Sequence, residues 1–117
     1  MADVSTEHSG KPQAGKQHFA DRQALQALDA LNTPVWVFDV DRHAMWWANR
    51  RALRFWRAAS LEDLVARDYS SDSPTVRQRL AQVIANTPQG EVVTDAWTLY
   101  PDNVPTPVLL AITPVTI

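Results

Sequence analysis

Five tryptophans occur in this chain of 117 residues, which also contains three glycines and no cysteine. They are Trp36, Trp46, Trp47, Trp56 and Trp97. A chain of this length forms one domain, so this much aromatic surface requires either a densely filled core or a cavity with aromatic walls. Core packing is the simpler of the two interpretations, because large rings usually serve it.

The segment from Val35 to Val40 carries β-branched and aromatic residues on both alternating faces. A strand of this composition is covered on both sides. Ala44 to Ala48 reads as the return strand of a hairpin. The pattern leaves open whether Trp36 and Phe38 or their neighbours face the helices, since a shift of one residue exchanges the faces.

Three helix starts follow the hairpin. The predicted N-caps are Asn49, Ser60 and Ser73, and the predicted helices cover 50–56, 61–67 and 74–86. Asn and Ser accept hydrogen bonds from the first free amides of a helix, Ser60 and Asp63 form a capping box, and Pro74 suits the first helical position. Val76, Leu80 and Val83 give the third helix an apolar stripe.

We predict three regions: a disordered tail over 1–17, an amphipathic helix over 18–33 and a folded domain over 34–117. The leucine stripe of the helix must dock on the domain's own sheet or on the same helix of a partner subunit. Two further strands, 91–100 and 108–112, complete a hairpin after the helices. The fold class is therefore α+β, an antiparallel sheet with helices grouped on one face.

Charge and composition exclude several classes of function. The net charge of −2 argues against a nucleic-acid binder, and no apolar run approaches the roughly 20 residues needed to span a bilayer. No secretory signal is visible, and the lack of cysteine fits a reducing compartment, so we expect a cytoplasmic protein.

No catalytic constellation is present in the sequence, and we expect no enzyme activity and no metal site. Asp39 and Asp41 are candidates for paired carboxylates, but an Asp beside a tight turn more often caps backbone amides. We expect His43 to be an exposed turn residue. His8 and His18 lie in or beside the polar tail and are expected to be solvated.

The ordered elements resemble a PAS domain. The resemblance is carried by Pro34-Val35-Trp36-Val37-Phe38-Asp39-Val40-Asp41, Trp47-Ala48-Asn49, Ala52-Leu53 with Trp56, Ser60-Leu61-Glu62-Asp63-Leu64, Asp68, Ser73-Pro74, Tyr100-Pro101 and Pro114-Val115. It covers nearly the whole chain after the tail. In particular, the chain is similar to PAS domains that precede bacterial diguanylate cyclase and phosphodiesterase domains.

The resemblance implies a non-catalytic sensor that regulates a C-terminal output domain, with cyclic-di-GMP turnover as the expected output. It implies a five-stranded sheet, of which four strands are recognisable here. We expect the fifth strand in a longer chain, of which this would be the N-terminal part, or from a neighbouring copy. We also expect a homodimer, formed through the N-terminal helix and the outer face of the sheet.

Cofactors used elsewhere in the family can be compared with the residues present. The flavin photosensor and chromophore-linked branches need a cysteine, and the haem branch takes a histidine from the long internal helix, where 74–86 has none. A non-covalently held flavin is still open, but no residue supports it. The expected alternatives are a small organic or fatty effector, or no ligand in a pure dimerisation module. The expected ligand-binding residues are Trp36, Phe38, Trp47, Asn49, Arg51, Phe55, Trp56, Arg67, Leu80, Trp97 and Leu110, with an arginine suited to a carboxylate head.

Overall fold

In the computed structural model, which describes residues 22–88 and 90–116, two β-hairpins flank a run of three α-helices. The elements are β1 (Trp36–Asp39), β2 (Ala44–Ala48), α1 (Arg50–Phe55), α2 (Leu61–Val65), α3 (Pro74–Asn86), β3 (Val93–Leu99) and β4 (Thr106–Ile112). The predicted α+β class is confirmed. The tail predicted over 1–17 lies outside the described residues.

The four strands form two antiparallel sheets of two strands each, rather than the single four-stranded sheet that we expected. β1 pairs with β2, and β3 pairs with β4. Each pair is joined by a short connection and closes locally, whereas within the described residues no ladder joins one hairpin to the other. The two hairpins are therefore held together by side-chain packing.

A β-bulge divides the side chains of the first hairpin between two cores. Val37 lies opposite Trp47, whereas Phe38 lies opposite Met45, so the register shifts at this point. Without the shift, Met45 and Trp47 would share one face of β2. With it, Met45 joins Phe38 in the main core, and Trp47 joins Val37 on the opposite side. β1 is buried along its whole length, as its composition predicted.

The three predicted N-caps are confirmed. The side chains of Asn49, Ser60 and Ser73 accept hydrogen bonds from Ala52 N, Asp63 N and Val76 N respectively. Asp63 also reaches back, but its carboxylate accepts from the amide of Ala59 instead of from Ser60. Across the described ranges, no helix combines the length and apolar character needed to cross a bilayer.

The N-terminal segment differs from the α-helix that we predicted over 18–33. Arg22–Ala30 forms a 3₁₀ helix, and residues 18–21 lie outside the described part. Leu25, Leu28 and Leu31 recur every third residue, which matches the repeat of a 3₁₀ helix. Leu25 is buried against Val35 and its neighbours in the second core, Leu28 packs at the edge of that core, and Leu31 is exposed. The stripe therefore docks on the domain's own hairpin.

Candidate functional site: a cavity between the hairpins

A cavity of about 830 Å³ lies where the two hairpins and the helices meet. β1 and β2 contribute Trp36, Phe38 and Met45 to its wall, and β3 and β4 contribute Trp97 and Leu110. The end of α1, the connection between α2 and α3, α3 itself and the connection between β3 and β4 also line it, and it is open to solvent on one side. The volume lies within the range of about 300–1,000 Å³ that small-molecule sites occupy.

Most of the wall is aromatic or aliphatic. The rings pack against one another: Trp36 and Trp56 meet edge to face with centroids 5.3 Å apart, and Phe38 and Tyr69 do so at 6.0 Å. From α3, Leu80 is buried and Val76 is half-buried at the same wall. Part of the aromatic surface thus lines a space, while the rest fills the core around it.

Seven of the eleven expected ligand-binding residues line this cavity. They are Trp36, Phe38, Trp56, Arg67, Leu80, Trp97 and Leu110. Phe55 lies next to the wall, because its ring stacks on Trp36 at 5.8 Å without lining the space itself. Trp47 lies in the second core, on the far side of the hairpin, because the bulge makes Met45 and Trp47 point to opposite faces of β2.

Asn49 is fully buried, and its side chain makes four hydrogen bonds to backbone. Its Oδ1 accepts from Val35 N at 3.0 Å and from Ala52 N at 2.9 Å. Its Nδ2 donates to Leu28 O at 3.0 Å and to Thr33 O at 2.9 Å. These bonds use both donors and both acceptor lone pairs of the amide, so Asn49 has a structural role and does not line the cavity.

The two candidate arginines are placed differently. Arg51 is exposed, donates to Asn32 Oδ1 at 3.1 Å and does not line the cavity. Arg67 does line it, but its guanidinium donates to Trp56 O at 2.7 Å, to Arg57 O at 2.9 Å and to the carboxylate of Asp63 at 3.2 Å. Arg67 therefore ties the end of α2 to the end of α1.

Two buried donors at this wall have no hydrogen-bond partner within the described part of the chain. They are Nε1 of Trp56 and the hydroxyl of Tyr69. Burial raises the pKa of the Tyr69 phenol, so the group is a neutral hydroxyl near pH 7 and is able to donate. Buried polar groups are nearly always paired in folded proteins, so these two unpaired atoms are an exception among the residues that line the cavity.

The mouth of the cavity carries acidic side chains from Asp68, Asp72 and Asp102. The amide of Ser70 donates to Asp68 Oδ1 at 2.8 Å, and this bond holds the pKa of the carboxyl below its usual value. Asp102 lies 3.6 Å from the guanidinium of Arg57, in an exposed pair. The mouth is thus predominantly anionic.

His43, which we expected to be exposed, is buried with 9% of its surface accessible. Its backbone takes a positive φ of 53°, a conformation that histidine adopts more readily than most residues. The ring lies edge to face on Phe38 at 5.1 Å, and Nε2 lies 2.8 Å from Oδ2 of Asp72. The prediction of an exposed His43 was wrong, because the turn directs its ring towards Phe38.

The carboxylate of Asp39 caps the turn, as the preferred interpretation predicted. Oδ1 accepts from the amides of Asp41 and Arg42, both at 3.1 Å. A catalytic pair with Asp41 therefore finds no support in the geometry. Among residues 22–88 and 90–116, no three His, Asp or Glu side chains form a group that would hold a metal ion.

A second hollow of about 500 Å³ lies between the end of α3 and the start of β3. Its polar groups include Arg79 and Asp95, which pair with each other at 2.8 Å. Arg79 also covers the face of Trp97 at 4.3 Å. The first cavity is larger and has more aromatic and aliphatic residues in its wall, so it is the stronger candidate for a small-molecule site.

Met45, Tyr69 and Val76 are among the wall residues that were not expected from the sequence. Val76 was recognisable, because it belongs to the apolar stripe of α3. Tyr69 lies in the irregular connection between α2 and α3, where no periodicity indicates a direction. Met45 joins the wall only through the bulge. No family model, no curated protein and no solved structure matches this chain.

Proposed function

We propose that this chain is a non-catalytic sensory domain of the PAS type, which binds a small apolar effector and regulates an output domain. The observation that carries the proposal is the cavity of about 830 Å³ with aromatic and aliphatic walls. Collapsed cores have few voids larger than a water molecule, whereas small-molecule sites are concave, largely apolar and furnished with a few polar groups.

The position of the cavity supports a regulatory role. Its walls come from both hairpins, from the end of α1, from the connection between α2 and α3 and from α3, and the hairpins share no backbone ladder within the described residues. An effector in this space contacts both hairpins at once. It shifts the domain between two arrangements only to the extent that it binds one of them more tightly.

The wider setting is proposed from the sequence resemblance alone. We place the domain in the cytoplasm, upstream of an enzymatic output domain that makes or degrades cyclic-di-GMP. We assign no reaction to the domain itself. The resemblance also implies a fifth strand, supplied by a longer chain or by a neighbouring copy.

The second candidate function is that of a dimerisation module without a ligand. Leu109 is 64% exposed on β4, opposite Ala96, on the face of the second hairpin that points away from the cavity. Leu109 thus lies on the outer face of the sheet, where the dimer interface was expected. Leu25 is already buried within its own chain, which favours the sheet face over the N-terminal segment as the interface.

Native mass spectrometry of the purified chain, followed by organic extraction, separates these functions. A sensor that retains its effector shows extra mass, and the extract contains a small apolar molecule. A dimer with no extra mass, and with no molecule bound after incubation with an apolar compound library, favours the dimerisation module. A monomer that binds nothing contradicts both functions.

A further inference from the structure

One part of the cavity wall is an irregular segment, residues 68–73, in the connection between α2 and α3. We call this segment the strap, and five of its six residues line the cavity. None of the six is buried, and Tyr69 is the one large apolar side chain among them. Segments with few buried apolar contacts open more easily than the strands and helices around them. The strap is therefore the least secured part of the wall.

The hydrogen bonds of the strap are almost all local. The amides of Ser70 and Asp72 donate to acceptors within the strap itself. Other bonds run to α3, the helix that follows directly, and include a long contact of 3.5 Å from Arg77 to Ser70 O. Within the described part of the chain, one hydrogen bond of the strap reaches a distant region of the fold, and it joins Asp72 to His43.

This bond holds the strap against the first hairpin at the edge of the cavity. The side chain of His43 is 8% exposed and that of Asp72 is 35% exposed, so the contact lies at the boundary with solvent. Beside it, the rings of Tyr69 and His43 both meet Phe38 edge to face. The ladder between β1 and β2 does not involve Asp72, so the contact is able to break while the hairpin stays paired.

We propose, on the basis of the sensory function above, that the strap is a movable lip of the cavity mouth, held in the closed position by the contact between His43 and Asp72. Asp68 and Asp72 lie at the mouth, so a displacement of the strap widens it. The effector enters and leaves while the contact is broken. The contact therefore controls the rate of exchange more than the affinity.

A single thiol on the wall measures the opening without any ligand. The chain contains no cysteine, and Met45 lines the cavity opposite Phe38 with 4% of its surface exposed. We measure the reaction of the Met45→Cys thiol with iodoacetamide, alone and combined with Asp72→Ala or His43→Asn. Asn suits the positive φ at position 43. Each combination should react about threefold to tenfold faster, the factor for one net hydrogen bond.

The dependence of this rate on urea distinguishes a local opening from unfolding. A local opening exposes little surface, so the rate should change little at low urea concentrations. A rate that instead follows the global unfolding equilibrium throughout would assign thiol exposure to unfolding and overturn the proposal.

The exchange of a bound molecule is measured by stopped-flow fluorescence with 1-N-phenylnaphthylamine, an uncharged apolar fluorophore. His43 does not line the cavity, so His43→Asn should raise the association and dissociation rates by the same factor, about threefold to tenfold, and leave Kd within about twofold. Asp72→Ala should accelerate both rates as well, and the double variant should be no faster than the faster single variant.

Two controls leave the contact intact. Asp102→Asn removes a carboxylate from the same mouth, and Trp47→Phe alters the second core on the far side of the hairpin. Neither should accelerate exchange. Circular dichroism identifies any variant that fails to fold, and the other substitution in the contact then decides.

The outcomes separate this inference from the proposed function. If the folded variants accelerate neither thiol labelling nor probe exchange, or if Asp102→Asn accelerates exchange equally, the role of the strap is wrong and the cavity is still a ligand site. If the probe does not bind and the purified chain carries no extra mass, the sensory function fails and the role of the strap fails with it.

Discussion

Nε2 of His43 lies 2.8 Å from Oδ2 of Asp72, and this contact joins two parts of the chain that are 29 residues apart. His43 belongs to the turn of the first hairpin, and Asp72 belongs to the connection that leads into α3 and lines the mouth of the cavity. The contact fixes the connection against the hairpin, beside the ring of Phe38.

Replacing Asp72 with Asn should therefore weaken the fold. We expect the free energy of unfolding in urea to fall by about 1 kcal/mol, because a hydrogen bond to a charged and partly exposed carboxylate is replaced by a neutral one. Asp41→Asn, at an exposed position in the same hairpin turn, is the control and should change the free energy by less than about 0.5 kcal/mol. Equal effects of the two variants would show that the contact with His43 is irrelevant.

Replacing Asn49 with Ala should cause a larger loss. Four backbone groups lose their partner within a fully buried site, and we expect about 3 kcal/mol less free energy of unfolding. Asn86→Ala, at the exposed end of α3, serves as the control. A loss below about 1 kcal/mol would mean that water replaces the amide, which contradicts the closed site described above.

The pair between Arg79 and Asp95 predicts a dependence on pH. The hydrogen bond from Arg79 holds the pKa of Asp95 below its usual value of about 3.9. Because the folded pKa is lower than the unfolded one, the stabilisation is complete above about pH 5 and disappears as the pH falls through the lowered folded value. The pair is half exposed, so we expect about 1 kcal/mol or less.

Urea unfolding of the wild-type chain and of Asp95→Asn tests this dependence. The variant should be less stable at neutral pH, and the difference should shrink in acid, below about pH 3. Glu91→Gln changes an exposed carboxylate outside the described ion pairs and should show no such trend. If the stability difference between wild type and Asp95→Asn stayed constant down to this pH, its cause would not be the ionised carboxylate.

Filling the cavity should abolish ligand binding without unfolding the chain. Val76 is half-buried on the wall of the cavity, so the ring of a Val76→Trp variant has space to enter. We expect the extra mass to disappear from the native mass spectrum. The free energy of unfolding should change by less than about 1 kcal/mol, because the ring fills open space and does not overpack a closed core. Thr75→Trp, exposed on the same helix, should keep the ligand.

The exposed face of the second hairpin can be tested in the same way. If the chain dimerises through this face, Leu109→Glu places charges at the interface and should convert the dimer to a monomer in sedimentation velocity experiments. Ala81→Glu adds the same charge on the exposed side of α3 and should leave the dimer intact. A dimer that survives Leu109→Glu uses another surface.

The strands, the helices and their caps were largely predictable, because short-range chemistry determines them. Asn49, Ser60 and Ser73 each cap a helix within three residues of themselves. The bulge opposite Val37 and Phe38 was not predictable, because it depends on pairing between two strands, and it alone moves Trp47 away from the cavity. The contact between His43 and Asp72 was not predictable for a similar reason, because it joins two segments that are far apart in the sequence.

The pairing within each hairpin was predicted from the sequence, but the lack of a ladder between the two hairpins was not. Pairing between distant strands depends on contacts across the whole chain, which local patterns do not indicate. Most aromatic residues of the cavity wall were predictable as a set, whereas Tyr69 was not, because it lies in an irregular connection.

Helix α1 has a different partner at each end. At its start, Asn49 bonds to the carbonyls of Leu28 and Thr33, and the amide of Arg50 donates to Asp29. About 9 Å further along, at a rise of 1.5 Å per residue, it ends at Trp56 on the cavity wall. Because α1 connects the cavity wall to the N-terminal segment, we expect a tilt of the helix at Trp56 to change its position at Asn49 as well. The N-terminal segment, which Asn49 holds, would then be displaced with it.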